Sequence, residues 1–285
     1  MKVLKKIFGK AQIEIPDHSQ EVRKFYNKTT DQFLEVYGEI IQAFRTKNVD
    51  DYLDYTISSA QLVNAEKILD AGCGVCGPSI YFAKKVNGLK IDACTISDIQ
   101  FEKGTQNIKQ ARLDDRLHVH QLDYHTIDEV FQKETYDRIL FLESFGHSDN
   151  KERLIDACWE LLKPGGMAYI KDLFRRIDDD EWEQLRIDKI CAEIDMAYKY
   201  KIGDLNNVLD KIRSKGFLLK FVKIPEIELS QFEHLTISND FQTLFGIGKI
   251  DTWTNYVFPI DFFEILIQKP EKISVKDAHL YFMNK

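Results

Sequence analysis

Lys67-Ile-Leu-Asp-Ala-Gly-Cys-Gly-Val-Cys-Gly-Pro78 is the stretch on which the reading of the fold turns. A short apolar run ends on Asp70 and gives way to Gly72, Gly74 and Gly77, after which Ile80, Tyr81, Phe82, Ala83 and Val86 fall at helical spacing. Buried strand, glycine turn and helix together make a nucleotide-type loop. The glycines let the backbone approach a ligand, and the first helical amides point at it. No Gly-Lys-Ser/Thr follows, so the loop is not a phosphate-binding P-loop. Cys73-x-x-Cys76 lies inside the turn with no second CxxC to complete a zinc set, and it reads as filler of a tight loop rather than a redox or metal site.

Working outward, residues 89–95, 116–122, 136–142 and 167–172 each read as a strand with helical pattern between them. Ser97 is an N-cap for the helix that follows the second strand. A helix over 151–162 closes at Lys163-Pro-Gly-Gly166, a strong stop signal. Upstream, Val22, Phe25, Tyr26, Phe33, Leu34, Val36 and Tyr37 share one broad helical face that Gly38 breaks, and a second helix runs from about Asp50 to Leu62. Downstream, a charged helix over about 179–200 interrupts the alternation. It resumes with a helix over 204–215 stopped by Gly216, and strands at 217–224 and 262–267. The expected fold is α/β: a Rossmann-like, seven-stranded, mostly parallel sheet flanked by helices, with ligands at the carboxyl ends of its strands. Residues 1–63 make an N-terminal arm and helical lid, and 64–270 the cofactor domain, with cap insertions at about 174–203 and 226–257. A tail over 271–285 completes the expected organisation.

The 285 residues carry a formal charge of −7, with 44% hydrophobic and 30% charged residues, the composition of a soluble globule. The acidic balance argues against nucleic acid or an anionic membrane as the main partner. No apolar run approaches the roughly 20 residues of a membrane span. Five cysteines form no secreted-type framework, so a cytoplasmic, reducing compartment is expected. A homo-oligomer is left open.

That loop and two further segments, taken in order along one chain, resemble the class I S-adenosylmethionine (SAM)-dependent methyltransferases. Asp70-Ala-Gly-Cys-Gly-Val-Cys-Gly-Pro78 is similar to the sterol-type Gly-Cys-Gly-Val-Gly-Gly-Pro loop, with Cys76 in a glycine slot. Thr95-Ile-Ser-Asp-Ile-Gln100 is similar to the Thr-(Leu/Ile)-Ser-x-x-Gln segment after strand two, and Glu143-Ser-Phe-Gly-His147 to the Glu-(Ser/Ala)-x-x-His segment after strand four. The nearest resemblance is to the sterol, tocopherol, cyclopropane fatty acid and geranyl diphosphate C-methyltransferases, over roughly residues 20–270. It implies SAM as cofactor and S-adenosylhomocysteine as product. Asp70, Gly72, Cys73 and Gly74 would then hold the methionine end, Thr95 and Gln100 the ribose, and Asp123 and Tyr124 the adenine. Tyr26 would close over SAM. No acid ends strand two, which disfavours a dehydrogenase on the same sheet.

A carbon acceptor that is an alkene leaves a carbocation, which calls for negative charge and aromatic faces. Glu143, beyond an apolar strand and flanked by Phe141, Leu142 and Phe145, is the expected cation stabiliser or proton acceptor; its structural alternative is a salt-bridged strand-end carboxylate. His147 is the base if oxygen or nitrogen is methylated instead. Phe174, Phe232, Phe241, Phe245, Trp253 and Tyr256 are the pool of walls for a lipophilic small-molecule acceptor. Lys171, Arg175 and Arg176 would serve a diphosphate, with magnesium only in that case. A non-catalytic SAM-binding scaffold is the rival from another class.

Overall fold

A computed structural model describes residues 17–42, 48–226 and 260–271 of the chain. Seven strands form one sheet: β1 (Lys67–Ala71), β2 (Lys90–Thr95), β3 (Leu117–Gln121), β4 (Tyr136–Leu142), β5 (Leu162–Arg175), β6 (Leu218–Lys223) and β7 (Ile260–Gln268). Their order is β3-β2-β1-β4-β5-β7-β6, with β1 to β5 parallel and β7 antiparallel to both its neighbours. The helices are α1 (Asp17–Tyr37), α2 (Val49–Ser59), α3 (Gly77–Lys85), α4 (Asp98–Ala111), α5 (Ile127–Val130), α6 (Lys151–Leu161), α7 (Glu181–Tyr198) and α8 (Leu205–Lys215).

Side chains alternate across a strand, so neighbours on β1 enter different cores. Ile68 packs with Leu53 of α2, Phe82 of α3 and Ile108 of α4, whereas Leu69 packs with Leu154 of α6 and Ile212 of α8. Both are fully buried, each worth roughly 1.5–3 kcal/mol relative to exposure. The strand order reverses between β1 and β4, and an open α/β sheet forms its ligand crevice at such a point. The loops after β1 and β4 carry Gly72-Cys-Gly74 and Glu143, so the sheet brings the two quoted motifs to one rim.

The Lys163-Pro-Gly-Gly166 stop signal departs from expectation. It does end α6, yet the four residues lie within β5 as a bulge: Tyr136 pairs with Leu162, and Arg138 already pairs with Met167. The end of β7 stabilises the bulge from outside. The Gly165 amide donates to the Lys269 carbonyl and the Lys269 amide to the Gly166 carbonyl, both at 2.9 Å. That distant partner is invisible to a local reading of the turn.

α1 crosses the rim of the sheet. Asn27 accepts from the Ser97 hydroxyl at 2.7 Å and the Asp98 amide at 2.9 Å, while Arg23 donates twice to the Asp98 carboxylate. These contacts seat α1 on the first turn of α4. Its aromatic face is the expected one, with Phe33 and Tyr37 buried and Phe25 and Tyr26 packed against them. Phe232, Phe241, Phe245, Trp253 and Tyr256 lie outside the described residues.

Candidate active site

Local backbone geometry shapes the loop after β1. Gly72 has φ +90°, and a Cβ there would fall 2.4 Å from the Ser144 Cβ, so glycine is required where the β1 and β4 loops meet. A Cβ on Gly77 would fall 2.1 Å from the Glu39 carbonyl, which allows residues 38–42 to lie directly on the loop. Cys76 adopts φ +67° as the N-cap residue of α3, a left-handed conformation that glycine takes more readily. The Gly72 and Cys73 amides both donate to the Cys94 carbonyl at 2.9 Å. They therefore brace the loop against β2 rather than face a ligand, a correction to the expectation that the amides around Gly72 serve one. Asp70 is 1% exposed, and its carboxylate accepts from the Ser79 hydroxyl at 2.6 Å, which orders the first turn of α3. Burial pushes Asp70 up to about 6, against the lowering effect of that hydrogen bond.

Around the crevice from the loop, Thr95 ends β2 and donates to the Gln100 side-chain oxygen at 2.8 Å. Ser97 caps α4 by accepting from the Gln100 amide at 3.2 Å, as the sequence suggests. Past β3, Asp123 Oδ1 accepts from the His125 amide at 2.9 Å and lies 2.7 Å from His125 Nδ1. Asp123 Oδ2 is buried and has no hydrogen-bond partner among the described residues. Burial alone would raise the Asp123 pKa, but hydrogen bonds and charge from His125, with a smaller contribution from the Ser19 hydroxyl, hold it below the usual carboxylate value. A buried anionic oxygen left without a donor is costly unless something supplies one. Tyr124 donates to the Ser144 carbonyl at 3.1 Å, which holds its ring beside this acid.

At the end of β4, Glu143 has φ +58°, strained for a residue with a side chain. Its carboxylate forms an ion pair of 2.9 Å with Lys171 Nζ. Lys171 is fully buried on β5, donates to Gln42 at 2.6 Å and lies 4.3 Å from the Tyr52 ring centroid. Burial pulls the Lys171 pKa well below its usual value. His147 is held by Tyr26 at Nε2 (2.7 Å) and by the Lys199 carbonyl at Nδ1 (3.0 Å). The carbonyl can only accept, so Nδ1 carries the proton and Nε2 accepts from the Tyr26 hydroxyl. Burial pulls His147 down to about 4, so the ring is neutral near pH 7. Tyr26 is thereby fastened over the crevice from α1.

All eleven site residues expected from sequence line one cleft: Asp70, Gly72, Cys73 and Gly74 from the first loop, Thr95 and Gln100 from the second, Asp123 and Tyr124 from the third, Glu143 and His147 from the fourth, and Tyr26 from α1. Its empty volume is about 840 Å³, the open mouth included. Sequence reasoning missed Gln42 and His125, which also line it. The adjacency of His125 to Asp123 was a usable signal; Gln42 reaches the site only through tertiary packing. Phe174 is not a pocket wall: it is 1% exposed in the core against Phe263. Lys171 and Arg175 are not open phosphate ligands either, the first being held by Glu143 and the second by Asp188 and Asp204.

A methyltransferase-domain family matches residues 69–168, which run from β1 into β5 and contain the loop, Asp123 and Glu143. The chain is 25% identical over 269 residues to a sterol 24-C-methyltransferase of Debaryomyces hansenii, an alignment covering 83% of this chain and 66% of the relative. Among solved structures, the [4+2]-cyclase SpnF is similar at a TM-score of 0.72 and 17% identity, over 89% of this chain and 96% of that one. Geranyl diphosphate C-methyltransferase from Streptomyces coelicolor A3(2), solved with Mg2+, geranyl diphosphate and S-adenosyl-L-homocysteine, is similar at 0.68 and 12% identity, over 89% and 98%. Domain match and fold together make this chain similar to the methyltransferases. The chain spans about half to two thirds of the length of the curated relatives it matches.

Proposed function

We propose that the cleft binds SAM and that the chain transfers its methyl group to the alkene carbon of a small lipophilic acceptor of isoprenoid type. The observation that carries this reading is Asp123 Oδ2, a buried carboxylate oxygen without a donor in the wall of a cleft that also holds Glu143. An adenine exocyclic amine supplies the missing donor. Thr95 and Gln100 then face the ribose, and the Gly74 amide, free of the Cys94 carbonyl, faces the methionine carboxylate. Asp70 balances the ammonium.

When bound, SAM supplies an electrophilic methyl: the sulfur–carbon bond breaks as the new carbon–carbon bond forms, and the positive charge passes to the acceptor. Glu143 presents its carboxylate to that charge from the cleft wall, with the Lys171 ammonium behind it. The pair is a dipole with its negative end toward the acceptor, which weakens the stabilisation without reversing it. Loss of a proton, with Glu143 as acceptor, restores neutrality. Tyr26 on α1 makes that helix a lid over the cleft.

Oxygen or nitrogen methylation with His147 as base is disfavoured. Its accepting nitrogen is already taken by Tyr26, and a group held near pKa 4 is a weak base at neutral pH. A neutral acceptor fits better than a diphosphate, because Lys171 and Arg175 are engaged by carboxylates. No cluster of three His, Cys, Asp or Glu suited to a metal occurs among the described residues, and none of their helices is long and apolar enough to cross a membrane. The test is a labelled-methyl assay against apolar alkene metabolites. Labelled product with a new carbon–carbon bond is expected; SAM binding with no transfer to any acceptor would favour a scaffold.

A further inference from the structure

Cys73 and Cys76 are set apart from the other cysteines by their mutual geometry. Their Sγ atoms lie 3.6 Å apart, both thiols are free, and the Cys76 amide donates to the Cys73 carbonyl at 3.0 Å. An i to i+3 bond of this kind closes a turn whose ends lie under about 7 Å apart, a bound close to the top of the roughly 4.4–6.8 Å span that a disulfide bridges. Closing to a sulfur–sulfur bond of about 2.05 Å requires a shift of about 1.5 Å. Room on the far side is provided by α4, where a Cβ on Gly104 would come within 3.0 Å of the Cys76 sulfur. The two thiols differ in access: Cys73 lines the cleft between Gly72 and Gly74, whereas Cys76 is fully buried beneath it.

We propose that Cys73 and Cys76 form a reversible thiol–disulfide modification site whose closure distorts the cofactor loop and whose access is blocked by bound cofactor. The oxidant is a low-molecular-weight disulfide. The deprotonated Cys73 sulfur attacks one sulfur of the oxidant and expels the other as a thiolate. The Cys76 sulfur then attacks the mixed disulfide at Cys73 and expels the second thiolate. The two protons from the cysteines end on the two released thiols, and two electrons pass from the protein to the oxidant. The hydrogen bond it shares with Cys76, together with burial, holds the Cys73 thiol well above its usual pKa, so the exchange is slow in the resting protein and quickens with rising pH. Because the Cys73 amide is pinned to the Cys94 carbonyl, the sulfur shift is taken up by the adjoining Gly74 backbone that faces the cofactor.

This inference rests on the SAM reading only for its effect on affinity; the covalent site itself does not. The full chain is incubated with glutathione disulfide at pH 7 and pH 9, alkylated, and mapped by peptide mass spectrometry. In parallel, SAM affinity is measured by calorimetry before and after reduction with dithiothreitol. The expected result is an intramolecular Cys73–Cys76 disulfide that forms faster at pH 9, is suppressed by saturating S-adenosylhomocysteine, and weakens SAM binding by about tenfold until reduced. Cys76→Gly, which suits the positive φ, should keep reduced-state folding and lose the oxidant response; Cys76→Ser is the second variant if the first fails to fold. Absence of the Cys73–Cys76 peptide at both pH values, or its presence with unchanged affinity, overturns the proposal. A reduced protein that binds no SAM refutes the cofactor reading instead, and the peptide map still decides the site.

Discussion

Replacement of Glu143 by Gln separates the cation account from a purely structural carboxylate, and its magnitude follows from the ion pair. A developing cation about 4 Å from the carboxylate gains about 4 kcal/mol at an effective dielectric of about 20. The Lys171 ammonium lies 2.9 Å from the carboxylate on its far side, so in line it sits about 7 Å from the cation and opposes it by about 2.4 kcal/mol. The net effect of the pair is therefore about 2 kcal/mol. In Glu143→Gln the outcome depends on the lysine. If Lys171 gives up its proton, as its burial-lowered pKa favours, about 2 kcal/mol is lost, or about 20-fold in rate. If it stays charged, the full 4 kcal/mol disappears, or about 1,000-fold. Single-turnover transfer of a labelled methyl group, with SAM affinity measured alongside by calorimetry, gives both numbers. Turnover within about threefold of wild type, at unchanged SAM affinity, would refute the reasoning and leave Glu143 as a strand-end salt bridge.

Asp70, pushed up to about 6 by burial, is about 90% ionised at pH 7 and about 10% at pH 5, so SAM should bind about tenfold more weakly at the lower pH. Calorimetry on Asp70→Asn should show that dependence flattened. His147 titrates near 4 in the fold against 6.5 as an ordinary histidine. Between those values the unfolded chain binds more protons, so its contribution to stability falls by up to about 3 kcal/mol as pH drops from 7 to 4. Asp70 and Asp172, both raised to about 6, act in the opposite direction, so the measurement is the difference in urea unfolding between wild type and His147→Gln across that range. A difference that does not change with pH would contradict the buried, neutral histidine. Gly77→Ala places a methyl 2.1 Å from the Glu39 carbonyl, which must displace residues 38–42 from the cleft. A loss of at least about 2 kcal/mol in stability, with weakened SAM binding, is expected from denaturant unfolding and calorimetry.

The sequence was most legible where local chemistry acts alone. Strand positions, the Ser97 cap and the Gly216 stop follow from period, side-chain hydrogen bonding and positive φ, and all are present. The site was legible for a related reason: in a parallel sheet every strand delivers its carboxyl end to the same rim, so residues far apart in sequence converge without a contact being known. What escaped depends on partners supplied from elsewhere. The bulge at 163–166 needs the tail of β7, and the Gly72 and Cys73 amides face Cys94 because β2 passes beside them. Lys171 suggested a phosphate ligand, but a buried ammonium takes the nearest carboxylate, and Glu143 lies on the neighbouring strand end. The aromatic pool failed at Phe174 because its strand continues to Arg175 along β7, which turns the ring into the core.

Calorimetric titration of S-adenosylhomocysteine into wild type and Asp123→Ala tests the central claim most directly, because the proposed adenine site rests on Asp123 Oδ2, which has no donor among the described residues. Saturable one-to-one binding to wild type, weakened about tenfold or more in a variant that unfolds like wild type, is the predicted result. Equal affinity in the two proteins, or no binding to wild type, would contradict it.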